Sequence, residues 1–238
     1  REGCYAVQPD AVSFNSVLKA WQDDPAKALE FWEEQVSPGL ANVRSYNTFL
    51  LGLAKAGLYE QAETLLQHMQ NINAAVRPDR ISWNTVLLAY ASASQEHDEI
   101  AALRADALLR EMIEGRKQNE ECSTPITNSL DLPPAIDPNY VPPTPDCISY
   151  NTVILAWGNI GNAEKAHGWL REMKESNIEP DTYTYNNVLK AYKQSGAPAE
   201  RALQLLREMD HPNRLSFTLG IQILCHNNEI EKAHALLN

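Results

Sequence analysis

The chain has 238 residues, which is enough for one large hydrophobic core or for a series of stacked repeats. Its composition, 44% hydrophobic and 21% charged residues, is that of an ordinary soluble protein, and no apolar run approaches the ~20 residues of a membrane-spanning helix. Asp and Glu (31) outnumber Lys and Arg (20), and the net charge of −11 argues against nucleic-acid binding by overall positive charge alone.

Six segments of the chain begin with Ser or Thr followed by an aromatic residue. They start at Ser13, Ser45, Ser82, Ser149, Thr184 and Ser216. In the fourth segment, Tyr150 is followed by apolar residues at i+3, i+4 and i+7, which predicts an amphipathic helix with one buried stripe. The other segments repeat the pattern, most weakly in the sixth. The leading Ser or Thr is the expected N-cap of each helix.

A second helix is predicted after each first helix. A small residue leads the same apolar spacing at Ala28, Ala62, Ala105, Ala166, Ala202 and Ala233. Gly57, Gly161 and Gly196 fall between the two helices, where the chain must reverse. Several units close with Pro-Asp, as at Pro180-Asp181, where the proline ends the second helix. The aromatic and Met stripes are expected to be core rather than a cofactor site.

The spacing of the segments indicates a repeat of roughly 35 residues. The residues that follow the six aromatics, at 15, 47, 84, 151, 186 and 218, are 32, 37, 67, 35 and 32 positions apart. A two-helix unit of this size cannot bury both faces alone, so that neighbours must stack. The predicted fold is all-α, a right-handed superhelical α-solenoid with the first helices on its concave face. The predicted single array has the tail of a preceding repeat at 1–10, repeats at 11–42, 43–79, 80–146, 147–181 and 182–213, and a partial repeat at 214–238.

The repeat at 80–146 contains a long insertion. Six prolines lie between about Arg116 and Thr144, and this stretch has no helical periodicity. The pattern predicts a disordered or loosely packed loop, which is interpreted as a spacer rather than as a functional lid.

These motifs resemble the pentatricopeptide repeat (PPR) family. The resemblance rests on Ser/Thr-aromatic-Asn-Thr at the start of the first helix, on Ala-x-x-Leu-Leu-x-x-Met in the second helix and on the closing Pro-Asp. It covers nearly the whole chain, and residues 147–181 show the complete pattern. The Trp-x-x-Leu-Gly-x-x-Tyr signature of the related tetratricopeptide repeat is absent.

The resemblance implies binding of single-stranded RNA, with one base recognised per repeat. Base choice in the family depends mainly on the Asn after the aromatic and on the last residue of the repeat. The implied base-reading pairs are Asn15 with Asn42, Asn47 with Asp79, Asn84 with Asp146, Asn151 with Asp181 and Asn186 with Asn213, followed by Thr218. Asn with Asp implies uracil, Asn with Asn either pyrimidine, and Thr a purine. The implied target is pyrimidine-U-U-U-pyrimidine-purine, read 5′ to 3′ along the chain.

Two further roles follow from the resemblance. The second residue of each repeat clamps the base, here Val12, Arg44, Ile81, Ile148, Tyr183 and Leu215. A phosphate-facing Lys late in the first helix is present only as Lys55. Residue chemistry alone leaves alternatives open, because an Asn near a helix start is often a local backbone partner and the Asp of Pro-Asp is equally explained as a helix cap.

The sequence shows no catalytic constellation, and no cofactor or small-molecule substrate is expected. Its four cysteines, Cys4, Cys122, Cys147 and Cys225, form no Cys-x-x-Cys pair, which favours a reducing compartment over disulfides or zinc. The protein is therefore expected to be a non-enzymatic RNA-binding protein of mitochondria or plastids that acts in RNA processing, stability or translation. The alternatives are an acidic scaffold for protein partners and the specificity arm of a longer nuclease or editing factor.

Overall fold

The structure is a computed structural model that describes residues 10–21, 23–35, 41–71, 76–94, 99–121 and 140–236. Within these ranges the chain forms twelve α-helices and no strand, which confirms the predicted all-α class. The helices are α1 Ala11–Ala20, α2 Pro25–Gln35, α3 Val43–Lys55, α4 Tyr59–Asn71, α5 Arg80–Ala93, α6 Glu99–Glu121, α7 Cys147–Ile160, α8 Ala163–Glu175, α9 Thr182–Ser195, α10 Ala199–Glu208, α11 Arg214–His226 and α12 Ile230–Ala235.

The helices follow the predicted order, in which the odd-numbered ones are the first helices and the even-numbered ones the second helices. They belong to two compact units. The first unit contains α1 to α4 and α5 as far as Ala89, together with Tyr140 and Val141; the second contains the rest of α5 and α6 to α12. Within the first unit α1 packs on α3, and within the second α7, α9 and α11 pack in a row with their second helices alongside. Each unit is thus built of stacked helical hairpins.

Each first helix begins three residues earlier than the sequence pattern suggested. The predicted N-cap Ser149 lies inside α7, and Asp146 is the actual N-cap. Asp146 Oδ1 accepts the Ser149 N–H at 3.0 Å, and Ser149 Oγ accepts the Asp146 N–H at 3.1 Å, which forms a capping box. The expectation that Ser or Thr caps the helix is therefore wrong, because the carboxylate or amide three residues before it satisfies the same orphan amide. The other caps are Asp10, Asn42, Asp181 and Asn213, and Asp79 makes the same bonds with Ser82.

The hairpin turns use left-handed backbone, as expected from their glycines. Gly161 has φ of +80°, and a Cβ there would lie 2.8 Å from the Cβ of Gln194, so that a side chain would add a clash to the strain. Gly57 and Gly196 adopt the same conformation, with φ of 68° and 67°. The last hairpin has Asn228 at φ 60° instead, a residue that tolerates this region better than most.

The predicted apolar stripes form the core. The five aromatics Phe14, Tyr46, Trp83, Tyr150 and Tyr185 are all at least 93% buried, as are the six alanines that lead the second helices. The sixth aromatic, Phe217, is 37% exposed, in line with the weaker pattern of its segment.

A buried carboxylate, which the sequence pattern did not single out, joins α6 to the next hairpin in the second unit. Asp106 is 7% exposed and accepts hydrogen bonds from the indole N–H groups of Trp157, at 3.3 Å, and of Trp169. Arg110 bonds the same carboxylate through Nε at 3.2 Å and lies over the Trp169 ring. The arrangement satisfies the buried groups that it contains.

The predicted loop at about 116–144 differs from the structure at both ends. Helix α6 continues to Glu121, because Arg, Lys, Gln and Glu favour helix. Tyr140 is held by side-chain bonds: its hydroxyl accepts from Trp83 Nε1 at 2.7 Å and donates to the Pro78 carbonyl at 3.3 Å. Residues 122–139 of the predicted loop lie outside the described residues, as do 1–9 of the predicted preceding repeat and 237–238 at the end of the partial repeat.

Candidate nucleic-acid interface

The structure brings together the two members of the predicted pair Asn47–Asp79, although they are 32 residues apart. Asn47 Nδ2 donates to Asp79 Oδ1 at 3.1 Å, and Ser82 Oγ lies 2.6 Å from Asn47 Oδ1, which accepts its proton. Asp79 Oδ1 also accepts the Ser82 N–H at 2.9 Å. Asp79 Oδ1 thus caps α5 and also accepts a hydrogen bond from Asn47 of α3. Capping of the helix therefore does not prevent the contact with Asn47.

The predicted pair Asn151–Asp181 repeats this geometry in the second unit. Asn151 Nδ2 donates to Asp181 Oδ1 at 3.2 Å, and the Thr184 hydroxyl donates to Asn151 Oδ1. Asn151 is only 6% exposed, so its amide plane is held from both sides. The thiol of Cys147 lies 3.4 Å from Asn151 Nδ2 and 3.9 Å from Asp181 Oδ2, a weak contact to both members.

The hydrogen bonds around Asp181 determine its charge. Burial alone would raise the pKa of this carboxyl group, but bonds from the Thr184 N–H, the Thr184 hydroxyl and Asn151 outweigh burial and lower the pKa. Asp181 is therefore an anion near neutral pH and offers acceptors only. Burial raises the pKa of the Cys147 thiol, so that this neighbour stays protonated.

In each of the two predicted Asn–Asn pairs, one amide oxygen has no hydrogen-bond donor. Asn186 Nδ2 lies 3.4 Å from Asn213 Oδ1, but Asn186 Oδ1 is buried without a hydrogen-bond partner. Asn15 Oδ1, of the first predicted pair, is also buried without a hydrogen-bond partner. A buried carbonyl oxygen without a donor is uncommon and costs free energy, so each of these positions favours a ligand or water that donates a hydrogen bond.

The remaining predicted base-reading residues are placed differently. Asn84 lies in the first unit and Asp146 in the second, so that this pair stays a prediction from the sequence. Thr218 is exposed on α11, and its hydroxyl donates to the Arg214 carbonyl at 2.7 Å.

The predicted base-clamping residues are exposed to solvent, and all but Arg44 are apolar. Each is the second residue of a first helix, one turn before the predicted base-reading Asn or Thr. Arg44, the polar member, is also exposed. The apolar members are Val12 (70% exposed), Ile81 (61%), Ile148 (60%), Tyr183 (52%) and Leu215 (53%). Apolar exposure that recurs at one helical position marks a binding surface better than scattered exposed residues do.

Charge is distributed unequally between first and second helices. The six first helices contain no Asp or Glu, and their seven basic residues are Lys19, Arg44, Lys55, Arg80, Lys190, Lys193 and Arg214. In the described ranges, every Asp and Glu lies in a second helix or in a segment next to a helix, such as the capping positions of the first helices. The net charge of −11 therefore does not describe the first helices, whose side chains give a local positive balance.

Comparison with known proteins gives this arrangement a family. The PPR repeat family profile matches residues 145–194, and the PPR repeat profile matches residues 44–73. Both segments of the chain are therefore pentatricopeptide repeats.

Related pentatricopeptide repeat proteins are much longer than this chain. A chloroplastic pentatricopeptide repeat-containing protein of Arabidopsis thaliana is 25% identical over 97% of the chain, which covers 27% of that relative. The mitochondrial 15S rRNA processing factor CCM1 of Yarrowia lipolytica is 30% identical over 37% of the chain, which covers 12% of that relative. The crystal structure of the pentatricopeptide repeat protein PPR10 in complex with an 18-nt psaJ RNA element has a TM-score of 0.65, at 22% identity, over 95% of this chain and 29% of PPR10. This likeness shows the solenoid fold.

The predicted phosphate-facing Lys55, in the pentatricopeptide repeat at 44–73, is close to a carboxylate. Its ammonium lies 3.5 Å from Asp23 Oδ1, a pair whose side chains are 49% and 93% exposed and which therefore contributes little to stability. The sequence pattern missed a second cation at the same level of the first helices. Lys190 Nζ lies 2.6 Å from Oδ1 of Asn159, the residue that aligns with Lys55. Only the packing of α9 on α7 reveals this placement.

The described residues lack two specific features, a cluster of metal ligands and a membrane-spanning helix. They contain no group of three His, Cys, Asp or Glu side chains that could hold a metal ion. Nor do these ranges include a helix long and apolar enough to cross a membrane.

Proposed function

We propose that this protein binds single-stranded RNA in a sequence-selective manner, with one base facing each two-helix repeat. The observation that carries the proposal is the contact between an Asn in one first helix and the residue that caps the next first helix. It occurs with the same atoms at Asn47–Asp79 and Asn151–Asp181, and in weaker form at Asn186–Asn213. A purely local role for the Asn would not require it to contact the cap of the following repeat.

The bonds within an Asn–Asp pair favour uracil. In the fourth repeat, the Thr184 hydroxyl donates to Asn151 Oδ1 and Asp181 accepts from Asn151 Nδ2, and among the described residues the Cys147 sulfur is the weak acceptor beside the second Nδ2 hydrogen. Asp181 Oδ2 lies 3.9 Å from the Cys147 sulfur, a weak donor, so that this oxygen can still accept a hydrogen bond from a base. The pair therefore presents a donor beside an anionic acceptor. Uracil offers the matching carbonyl oxygen and N3–H, whereas cytosine N3 would place a lone pair against the carboxylate.

An Asn–Asn pair discriminates less between pyrimidines. Asn213 Oδ1 is occupied by the N–H and the hydroxyl of Ser216, both at 3.0 Å. The Asn213 amide is then left with Nδ2 donors, which suit a pyrimidine carbonyl oxygen and cytosine N3 alike. The implied target remains pyrimidine-U-U-U-pyrimidine-purine.

The surroundings of the pairs support binding of a polyanion with exposed bases. The exposed apolar residues one turn before Asn15, Asn84, Asn151 and Asn186 supply surfaces on which bases can lie. The first helices themselves contain no carboxylate, so that repulsion of the phosphate groups there comes only from the capping residues Asp10, Asp79, Asp146 and Asp181. The relatives named as chloroplastic and mitochondrial, one of them an rRNA processing factor, support a role in the processing of organellar RNA.

The proposal is tested by measuring binding of this chain to a U-rich RNA and to a scrambled purine-rich RNA of equal length, at 50 and 200 mM salt. We expect tighter binding to the U-rich RNA at both salt concentrations. Equal binding to both RNAs, or no binding to either, would refute the proposal. A partner that remains bound after ribonuclease treatment, together with no preference between the RNAs, would instead support the protein-scaffold alternative.

A further inference from the structure

Lys190 occupies an unusual position on the first-helix surface of the second unit. It follows Asn186 by four residues, so that both side chains lie on the same face of α9, one turn apart. Its side chain extends toward α7, where Nζ contacts Asn159 Oδ1 at 2.6 Å. The ammonium therefore lies between the first helices of the fourth and fifth repeats, one turn or more beyond the pairs formed by Asn151 and Asn186.

The partner of Lys190 is a neutral amide whose orientation is determined by a second bond. Asn159 is 4% exposed, and its Nδ2 donates to the Ala91 carbonyl at 2.9 Å. This bond turns Oδ1 of Asn159 toward Lys190. The lysine is thereby held in place without losing its charge, and two of its three N–H donors remain available.

Other lysines of the described chain are paired differently. Lys174 and Lys232 on second helices bind the carboxylates of Glu208, at 2.8 Å, and Glu200, at 3.1 Å. Lys55 is close to Asp23. In the part of the chain that the structure describes, no ion pair joins Lys190 to a carboxylate. Among these residues, Lys190 thus combines a fixed position with an uncompensated charge.

Resting on the RNA-binding function proposed above, we infer that Lys190 holds the phosphodiester group between the nucleotides that face the fourth and fifth repeats. The contact supplies the cation that α7 lacks, since α7 contains no basic residue and has Asn159 where α3 has Lys55. Because the ligand atoms are phosphate oxygens, the contact contributes affinity without distinguishing bases.

The test compares the salt dependence of RNA binding for the unmodified chain, Lys190→Gln, Lys190→Arg and a control, Arg171→Gln. Arg171 lies on the second helix α8 with a 75% exposed side chain, so that its replacement changes the net charge equally at a distance from the first helices. One lost phosphate contact lowers the slope of log K against log salt by about 0.7 for single strands. Lys190→Gln should therefore lose about 2.6-fold less affinity between 50 and 200 mM salt than the unmodified chain. Lys190→Arg and Arg171→Gln should keep the original slope.

A structural tie between α9 and α7 would give a different result. In that case Lys190→Gln would lower the melting temperature and weaken binding by the same factor at both salt concentrations, and an unchanged slope would overturn the inference. If the unmodified chain binds U-rich RNA preferentially but Lys190→Gln keeps its slope, only the inference fails. If the unmodified chain binds no RNA, the proposed function fails with it.

Discussion

Replacement of Asp181 by Asn is the sharpest test of base recognition that the structure offers, because it converts the fourth pair into the residue types of the fifth. Asn213 caps α11 through the same three bonds to Ser216 that Asp181 makes to Thr184. Asn and Asp are about equal as helix caps, and loss of the favourable charge near the helix N-terminus costs about 0.3–1 kcal/mol. The variant is therefore expected to fold with a small decrease in melting temperature.

The expected effect on binding follows from the different hydrogen-bonding groups of the Asp181 carboxylate and of the amide that replaces it. In the unmodified chain the pKa of Asp181 is lowered, so that an anionic acceptor faces the base. A cytosine there loses a hydrogen bond and meets a repulsive lone pair, for which about 1–3 kcal/mol is a reasonable penalty from known base-edge contacts. This corresponds to roughly a 5- to 150-fold weaker Kd. An amide can turn its NH₂ toward cytosine N3, and we expect the penalty in Asp181→Asn to fall to about twofold or less.

The assay is fluorescence anisotropy with a set of RNAs in which each uracil is changed to cytosine in turn. Asp181→Asn should relax discrimination at one RNA position and leave the others unchanged, whatever spacing the insertion in the third repeat imposes. Asp210→Asn, a change of the same charge in an exposed connecting segment, serves as the control. Two outcomes would refute a role of the Asp181 carboxylate in base choice. In the first, the unmodified chain prefers uracil at several positions and Asp181→Asn retains every one of these preferences. In the second, the control variant changes the preferences equally.

Three further predictions concern stability and the exposed apolar row. Asp106→Ala should lower the free energy of unfolding by about 2–5 kcal/mol in urea denaturation, because it strands two buried indole N–H groups and an arginine, whereas Asp106→Asn should cost less; equal effects would contradict the hydrogen-bond account. Burial lowers the pKa of His167 below 6.5, so the neutral ring, whose Nδ1 shares a hydrogen bond with the Tyr192 hydroxyl, is favoured on folding. Stability should be complete above about pH 6.5 and should fall as the pH decreases toward the folded-state pKa, and His167→Gln should flatten the melting temperature between pH 7 and 5.5. Ile148→Ser should change the melting temperature little, since the side chain is 60% exposed, but should weaken RNA binding about fivefold, or ~1 kcal/mol; unaltered binding would remove Ile148 from the interface.

The helices and the core were predictable from the sequence because both depend on local periodicity. Phe14 and Trp83 are buried where the i, i+3, i+4, i+7 pattern placed them. The N-caps were misassigned because Ser and Asp have similar intrinsic tendencies to cap a helix. The N-cap is the residue whose side chain accepts the backbone N–H three residues further on, which here is Asp146 with the Ser149 N–H. A local pattern identifies a helix start to within one turn and no better.

The contacts between repeats were less predictable, because they join residues about 30 positions apart through packing. Asp106 resembles an ordinary surface charge on α6 until two tryptophans of the next hairpin are seen to bond it. The position of the Lys190 ammonium was not predictable for a related reason. Alignment of the repeats compares equivalent positions, whereas a lysine side chain extends to a non-equivalent position on the neighbouring helix.

The distribution of charge indicates how much of the binding free energy would come from phosphate contacts and how much from the bases. With seven basic residues on five of the six first helices, and one of them near Asp23, few phosphate groups can be contacted at once. Each contact contributes a salt slope of only about 0.7, so a strand held by few cations has weak non-specific affinity. The carboxylates lower that affinity further, both on the second helices and at the capping residues Asp79 and Asp181 beside the Asn residues. Most of the binding free energy would then come from the bases, and the preference for U-rich RNA should change little between 50 and 200 mM salt even though the absolute affinity falls.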